Sequence, residues 1–194
     1  MNDIFYEESA RTQNEKSASI KYNIFNTLSI ISFIFMVLWL VLIFIAYDFT
    51  KGSTYINIII VLMPFALFLS SGIVLCKIKN KFYVDYDYTF VTGSISIAKV
   101  VKNIKRYPVI EFETSKIEKL GKYGSETFNK YVSLPGIKKL ILTSNDSPEK
   151  EKAFYYLIIN TDGEKKLLVL ECSETFIYNV LKFSNKFILE EDFK

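Results

Sequence analysis

Two apolar runs, residues 24–47 and 55–76, contain no Asp, Glu, Lys or Arg and are separated only by residues 48–54. A helix needs roughly 20 apolar residues to cross a hydrocarbon core of about 30 Å, and each run is about that long. The expected chain is a two-helix transmembrane hairpin carrying a separate polar part. Its segments are a cytoplasmic N-terminal stretch (1–23), the first span (24–47), a short external loop (48–54), the second span (55–76), a basic juxtamembrane linker (77–81), a cytosolic domain (82–189) and an acidic tail (190–194).

Residues 1–23 do not read as a signal peptide, because Asp3, Glu7, Glu8 and Glu15 stand where a basic n-region belongs. Arg11, Lys16 and Lys21 precede the first span and Lys77, Lys79 and Lys81 follow the second, whereas only Lys51 lies between. This excess places both termini in the cytoplasm of a multi-pass plasma-membrane protein, with Tyr22, Tyr47 and Tyr55 as interfacial anchors. Neither span holds an ionisable Asp, Glu, Lys or Arg that would mark an ion or proton path. Ala66, Ser70, Ser71 and Gly72 of the second span and Ser29 and Ser32 of the first suit close packing of the two helices, with self-association through Ala66 and Ser70 as the alternative. Pro64 is expected to bend the second helix.

The chain has no His and two Cys, which removes His-based triads and nearly every zinc or haem site; no cofactor is expected. Cys76 and Cys172 read as reduced thiols, Cys76 being also a weak candidate for acylation. Residues 77–194 carry 20 Lys and Arg against 16 Asp and Glu, interleaved as in Glu149-Lys150-Glu151-Lys152. A nucleic-acid surface gathers its cations on one face, so no nucleic acid is expected as partner.

Beyond Lys81 the pattern alternates. Phe82, Val84, Tyr86, Tyr88 and Phe90 fall on one strand face, taken as core, and Tyr83, Asp85, Asp87 and Thr89 on the other, taken as wet. Thr92-Gly93 turns into a return strand at 94–97, and further strands are expected at 105–113, 116–122, 138–143, 154–160 and 165–171, the last two joined by Asp162-Gly163. Ser173 can cap a helix with Phe176, Ile177, Val180, Leu181, Phe183 and Phe187 at helical spacing. Seven mostly antiparallel strands closed by one C-terminal helix is the order of elements of pleckstrin-homology (PH)-like domains, an α+β arrangement in the membrane protein as a whole.

The run FYVDYDYTFVTGSISIAKVVKNIKR, from Phe82 to Arg106, with MNDIFYEES, GKYGSETF and PGIKKLILTSN, resembles an uncharacterised family of small two-span membrane proteins from clostridium-like bacteria. The resemblance implies a bacterial PH-like cytosolic domain. The family is a domain of unknown function, so it brings no activity and no catalytic residues.

Three groups of residues are candidates for function. Asp85 and Asp87, roughly 7 Å apart along a strand, could suit a divalent cation or paired-carboxylate hydrolysis, although a solvated strand face explains them as well. Lys102, Lys105 and Arg106, with Lys77, Lys79 and Lys81, could meet anionic headgroups, each contributing about 1 kcal/mol, or simply reflect the cytoplasmic excess of basic residues. PH-type phosphoinositide sites place cations around the first hairpin loop, but residues 90–94 have none, so inositol-phosphate recognition is not expected. Residues 121–126, with two glycines, read as a turn because the Lys-Ser/Thr ending of a phosphate loop is missing. Tyr123, Phe128, Tyr131 and Leu134 either present aromatic and apolar groups to a partner or form a short packed helix.

These readings converge on a membrane-anchored, non-catalytic module that binds a protein partner or an anionic lipid surface. An accessory subunit of a transport or secretion complex and, less favoured, a membrane-bound metal-dependent hydrolase are the alternatives.

Overall fold

The computed structural model describes residues 4–46, 48, 50, 53–161, 163–184 and 188–189. The chain divides into two compact units, residues 14–83 and residues 1–13 with 84–194.

The first unit is the helical hairpin, α1 (Glu15–Ala46) and α2 (Thr54–Lys79). Both helices are long and apolar enough to cross a membrane, and the hairpin buries little of their apolar surface. Helix α1 starts well before the apolar run because Asn14 caps it, its Oδ1 accepting from Ser17 N at 3.1 Å. The helices meet at small residues: Ser29 Oγ donates to the Gly72 carbonyl at 2.9 Å, and Ser71 Oγ to Ser32 Oγ at 3.3 Å. Gly72 gives room there, since a Cβ would stand 2.9 Å from the Phe33 ring and the ring would have to shift. Ala66 and Ser70 are exposed, outside this contact, and Pro64 sits within α2. Tyr47, expected as an anchor, and most of the expected external loop lie outside the described residues.

The second unit contains the seven expected strands, β2 (Val84–Val91), β3 (Ser94–Val101), β4 (Lys105–Glu113), β5 (Ile117–Lys122), β6 (Lys138–Ile141), β7 (Ala153–Thr161) and β8 (Glu164–Cys172). An eighth, β1 (Phe5–Ala10), precedes the hairpin. It pairs antiparallel with β2 from Phe5↔Val91 to Ala10↔Tyr86. Residues 1–23 are therefore not a free-standing segment: β2 would otherwise leave a row of unpaired backbone groups, and β1 satisfies them. The hairpin is an insertion within the β domain, and the expected domain boundary at residue 82 is replaced by this discontinuous unit. Phe82, expected in the strand core, belongs to the hairpin and stacks on Phe25 with centroids 4.9 Å apart.

Two four-stranded sheets result, β1-β2-β3-β4 and β5-β7-β8-β6, antiparallel except for β6 against β8. Between them lies a core in which Tyr88, Phe90, Ile95 and Ile97 meet Leu157, Leu168, Leu170 and Cys172. Helix α4 (Glu174–Phe183) closes this core with Phe176, Ile177 and Val180. Ser173 caps it as expected, accepting from Phe176 N, and itself donates to Glu8 Oε2 at 2.7 Å, joining the first strand to the last helix. Phe187 and the acidic tail fall outside the described residues. Strands β7 and β8 are apolar on consecutive positions because both faces of their sheet are covered. On the outer face Tyr156, Ile158, Leu167 and Val169 pack against Phe128 of α3 (Glu126–Ser133).

Candidate functional site

The most polar concavity of the β domain lies at one end of the first sheet. The β2–β3 and β3–β4 registers place Val84 opposite Val101 and Val101 opposite Lys105. The turn 102–104 therefore sits at the same sheet end where the chain leaves at Gln13 and returns at Val84. Lys102 and Asn103 adopt positive φ of 53° and 55°, and Ile104 projects from the turn with 74% of its surface exposed. Lys102 and Lys105 flank it in the chain.

Asp85 and Asp87 do point to the outer face of β2, but that face is not wet there. They retain only 4% and 6% exposure. The residues entering α1 and those of β4 cover them. Asp85 Oδ1 accepts from Thr12 N at 2.7 Å. Asp87 Oδ1 accepts from Ser9 Oγ at 2.7 Å, and its Oδ2 faces Arg106 Nη2 at 2.8 Å. Arg106 also reaches Glu7 at 3.8 Å. A cavity of about 320 Å³ remains, lined by Ser9, Arg11, Asp85, Asp87, Val100, Asn103, Ile104 and Arg106. Among the described residues no three His, Cys, Asp or Glu side chains gather to hold a metal. Asp87 is thus paired with Arg106, and the two carboxylates accept from different residues of the segment before α1.

The other basic candidates separate. Arg106 is committed to Asp87. Lys79 Nζ donates to Asn26 Oδ1 at 2.7 Å and lies 5.7 Å over the Tyr22 ring, so it ties the two helices together. Lys77, Lys81 and Lys105 are exposed.

Of the aromatic set, Phe128 is buried and Tyr131 packs beside it, as the packed-helix reading expects. Tyr123 and Leu134 stay 52% and 42% exposed. Tyr123 leans on Phe128 and Phe154 above a cavity of about 210 Å³ that also includes Ile141 and Thr143. Residues 121–126 form the end of β5 and a turn, with Gly124 at φ 85° and Ser125 capping α3.

Next to the site, the loop 143–149 clasps both chain segments that lead to the hairpin. Ser144 Oγ donates to the Val84 carbonyl at 2.7 Å, Gln13 N donates to Asn145 Oδ1 at 3.0 Å, and Asn145 Nδ2 donates to the Arg11 carbonyl at 2.7 Å. The loop is anchored on Glu171, which is 0% exposed. Glu171 accepts from Thr143 Oγ1 at 2.5 Å, Asn145 Nδ2 at 2.8 Å and Glu149 N at 2.8 Å. Burial pushes the neighbouring Tyr88 phenol and Cys172 thiol well above their ordinary values, so both stay protonated.

Sequence reasoning missed Ser9, Arg11, Asn103 and Ile104. Only Ile104 carried a signal, a single apolar residue inside the basic run Lys102 to Arg106.

An apolar two-helix hairpin set into a two-sheet β domain closed by a C-terminal helix defines a membrane-anchored PH-like protein. Residues 2–190 match the family described as Bacterial PH-like domain (DUF6106), and the chain belongs to that family. No curated protein and no solved structure matches it.

Proposed function

We propose that the protein is a non-catalytic module in which the hairpin holds the PH-like domain at the cytoplasmic leaflet of the plasma membrane and the turn 102–104 engages anionic lipid there. One observation carries this reading: Ile104 is exposed between Lys102 and Lys105 at the sheet end from which the chain runs into the apolar helices. From Lys79 to Val84 the chain can extend at most roughly 18 Å, a short tether between the last turn of α2 and the first residue of β2. An inserted isoleucine contributes about 1.5–3 kcal/mol when fully buried, and each nearby cation about 1 kcal/mol. Tethering lets such a weak contact be occupied, because the hairpin keeps its local concentration high.

The test uses full-length protein in nanodiscs with an environment-sensitive fluorophore on Ile104→Cys. A blue shift is expected when phosphatidylglycerol is added to a phosphatidylcholine disc, and Lys105→Glu should reduce it. An emission indifferent to anionic lipid rejects the reading.

Exposed Tyr123 beside the cavity with Ile141 favours a second reading, a protein partner on the second sheet, as an accessory subunit would have. Stable co-purification that Tyr123→Ala abolishes would support it.

A further inference from the structure

Strand β6 is the last strand of the second sheet, so the backbone groups on its far side have no strand to pair with. Leu142 N donates to the Val169 carbonyl at 2.9 Å. Backbone groups alternate in direction along a strand, so those of Leu140 face β8 as well, and those of Lys139 and Ile141 face outward. The other three sheet edges are occupied or interrupted. On β5, Leu120 N donates to the Ile188 carbonyl at 2.8 Å. β4 carries Pro108 and a register shift beside it, and on β1 Lys152 Nζ donates to the Ser9 carbonyl at 2.6 Å.

The open edge is basic at one end and apolar at the other. Lys138 lies directly opposite Lys166, a like-charge pair that disfavours the sheet unless an anion joins it. Lys138 and Lys139 are exposed, and among the described residues neither forms an ion pair, whereas the nearby Lys165 is held by Glu118 at 2.6 Å. Lys139 and Ile141 stand opposite Leu167 and Val169, on the face that α3 covers. Ile141 nevertheless keeps 67% exposure and lines the cavity of about 210 Å³ with Tyr123, Phe154 and Val169. That volume is below the usual range of small-molecule pockets and suits a single side chain.

We infer that the outer edge of β6 takes an extended acidic segment of a partner protein as an added strand. The segment's backbone pairs with Lys139 and Ile141, one of its apolar side chains enters the cavity beside Tyr123, and an Asp or Glu two residues away meets Lys139. The spacing of two follows from the strand period and holds for either chain direction. A second copy of β6 would add Lys138 and Lys139 to an edge already in excess of positive charge, whereas carboxylates neutralise it. The inference rests on the second reading above, a protein partner on the second sheet, and goes further by stating how that partner is bound and what chemistry it presents.

The experiment pans a phage-displayed library of random short peptides on full-length protein in maltoside detergent. Recovered sequences are expected to place an aromatic or aliphatic residue two positions from Asp or Glu, and a fluorescein-labelled one should bind by anisotropy. Lys139→Glu should weaken that peptide roughly tenfold, and exchanging the peptide's acid for Lys should restore binding to the variant. N-methylation of alternate peptide amides should abolish binding in one phase and spare it in the other, because an added strand turns only every second N–H toward β6. This series needs no variant to fold. Equal loss in both phases, or unchanged binding to Lys139→Glu, overturns strand addition; if Tyr123→Ala still abolishes binding in that case, the partner reading survives without it. Recovery of basic peptides, or of none above background, overturns the inference as well, while the co-purification that depends on Tyr123 decides the partner reading separately.

Discussion

Removing the carboxylate of Glu171 should loosen the clasp on both segments leading to the membrane. The group is 0% exposed and accepts hydrogen bonds from Thr143, Asn145 and Glu149. Hydrogen bonds to a charged group are each worth about 1.5–3 kcal/mol, but Thr143 and Asn145 can regain water once the loop lifts, so the gross sum overstates the loss. Breaking a buried charged network at one member typically costs about 3–5 kcal/mol, and we expect that of Glu171→Ala. At about 2–4 °C per kcal/mol for a domain of this size, the melting temperature should fall by roughly 6–20 °C. Near-UV circular dichroism of the full-length protein in detergent reads this, and limited trypsinolysis should show faster cleavage at Lys150 and Lys152. Glu171→Gln keeps the volume and one acceptor, but its amide opposes the Asn145 amide, so an intermediate loss is expected. If Glu171→Gln is as stable as wild type and Glu171→Ala leaves the tryptic pattern unchanged, the carboxylate is not what holds the loop.

Glu8→Ala should cost about 1–2 kcal/mol in the same melt by freeing Ser173 N and Oγ, which Glu8 binds at 3.0 and 2.7 Å; no change would detach β1 from the helix cap. Because burial raises Cys172 and Tyr88 above their ordinary values of 9.0 and 10.0, the fold holds these protons more tightly than the unfolded chain does. The melting temperature should therefore fall with rising pH above about 9, and Tyr88→Phe should flatten the part above about 10; a profile level to pH 11 contradicts this. Gly72→Val should push on Phe33 and cost about 1–3 kcal/mol of helix packing. It would be read as lost disulfide formation between Ser32→Cys and Ser71→Cys in a Cys76→Ala background. Cysteines placed at Ser9 and Lys105 should label from the same side of sealed membranes and one at Thr50 from the other, since β1 and β2 share a sheet; opposite labelling of Ser9 and Lys105 would break that pairing.

Much of this architecture was legible because its elements keep a simple period. β2 to β8 alternate or run apolar between turn residues, and Thr92-Gly93 adopts the two positive φ values, 43° and 92°, of a tight hairpin. β1 was not legible. Its inward positions include Glu8, whose polar partner Ser173 lies at |i−j| = 165, and no local pattern shows so distant a bond. The same limit applies to Asp85 and Asp87. Period two assigns them correctly to the outer face of β2, but whether an outer face is wet depends on what crosses it, here Thr12 and Arg106. Phe128 and Tyr131 posed the converse problem, since an apolar pair in a connection reads as a free surface until the outer face of β7 and β8 is known to need cover.

The insertion also bears on why the candidate site stands where it does. Here both the exit at Gln13 and the return at Val84 are fastened to one loop, Gln13 through Asn145 and Val84 through Ser144. Loop 143–149 is in turn held by a carboxylate in the core. Fastening both segments to one loop orders the sheet end bearing Arg11 and Ile104 in advance, so under the proposed lipid contact less entropy is spent there. If that is the purpose of the clasp, Asn145→Ala and Glu171→Gln should weaken the Ile104 fluorescence response to anionic nanodiscs. A response equal to wild type in both variants would mean that the clasp serves stability alone.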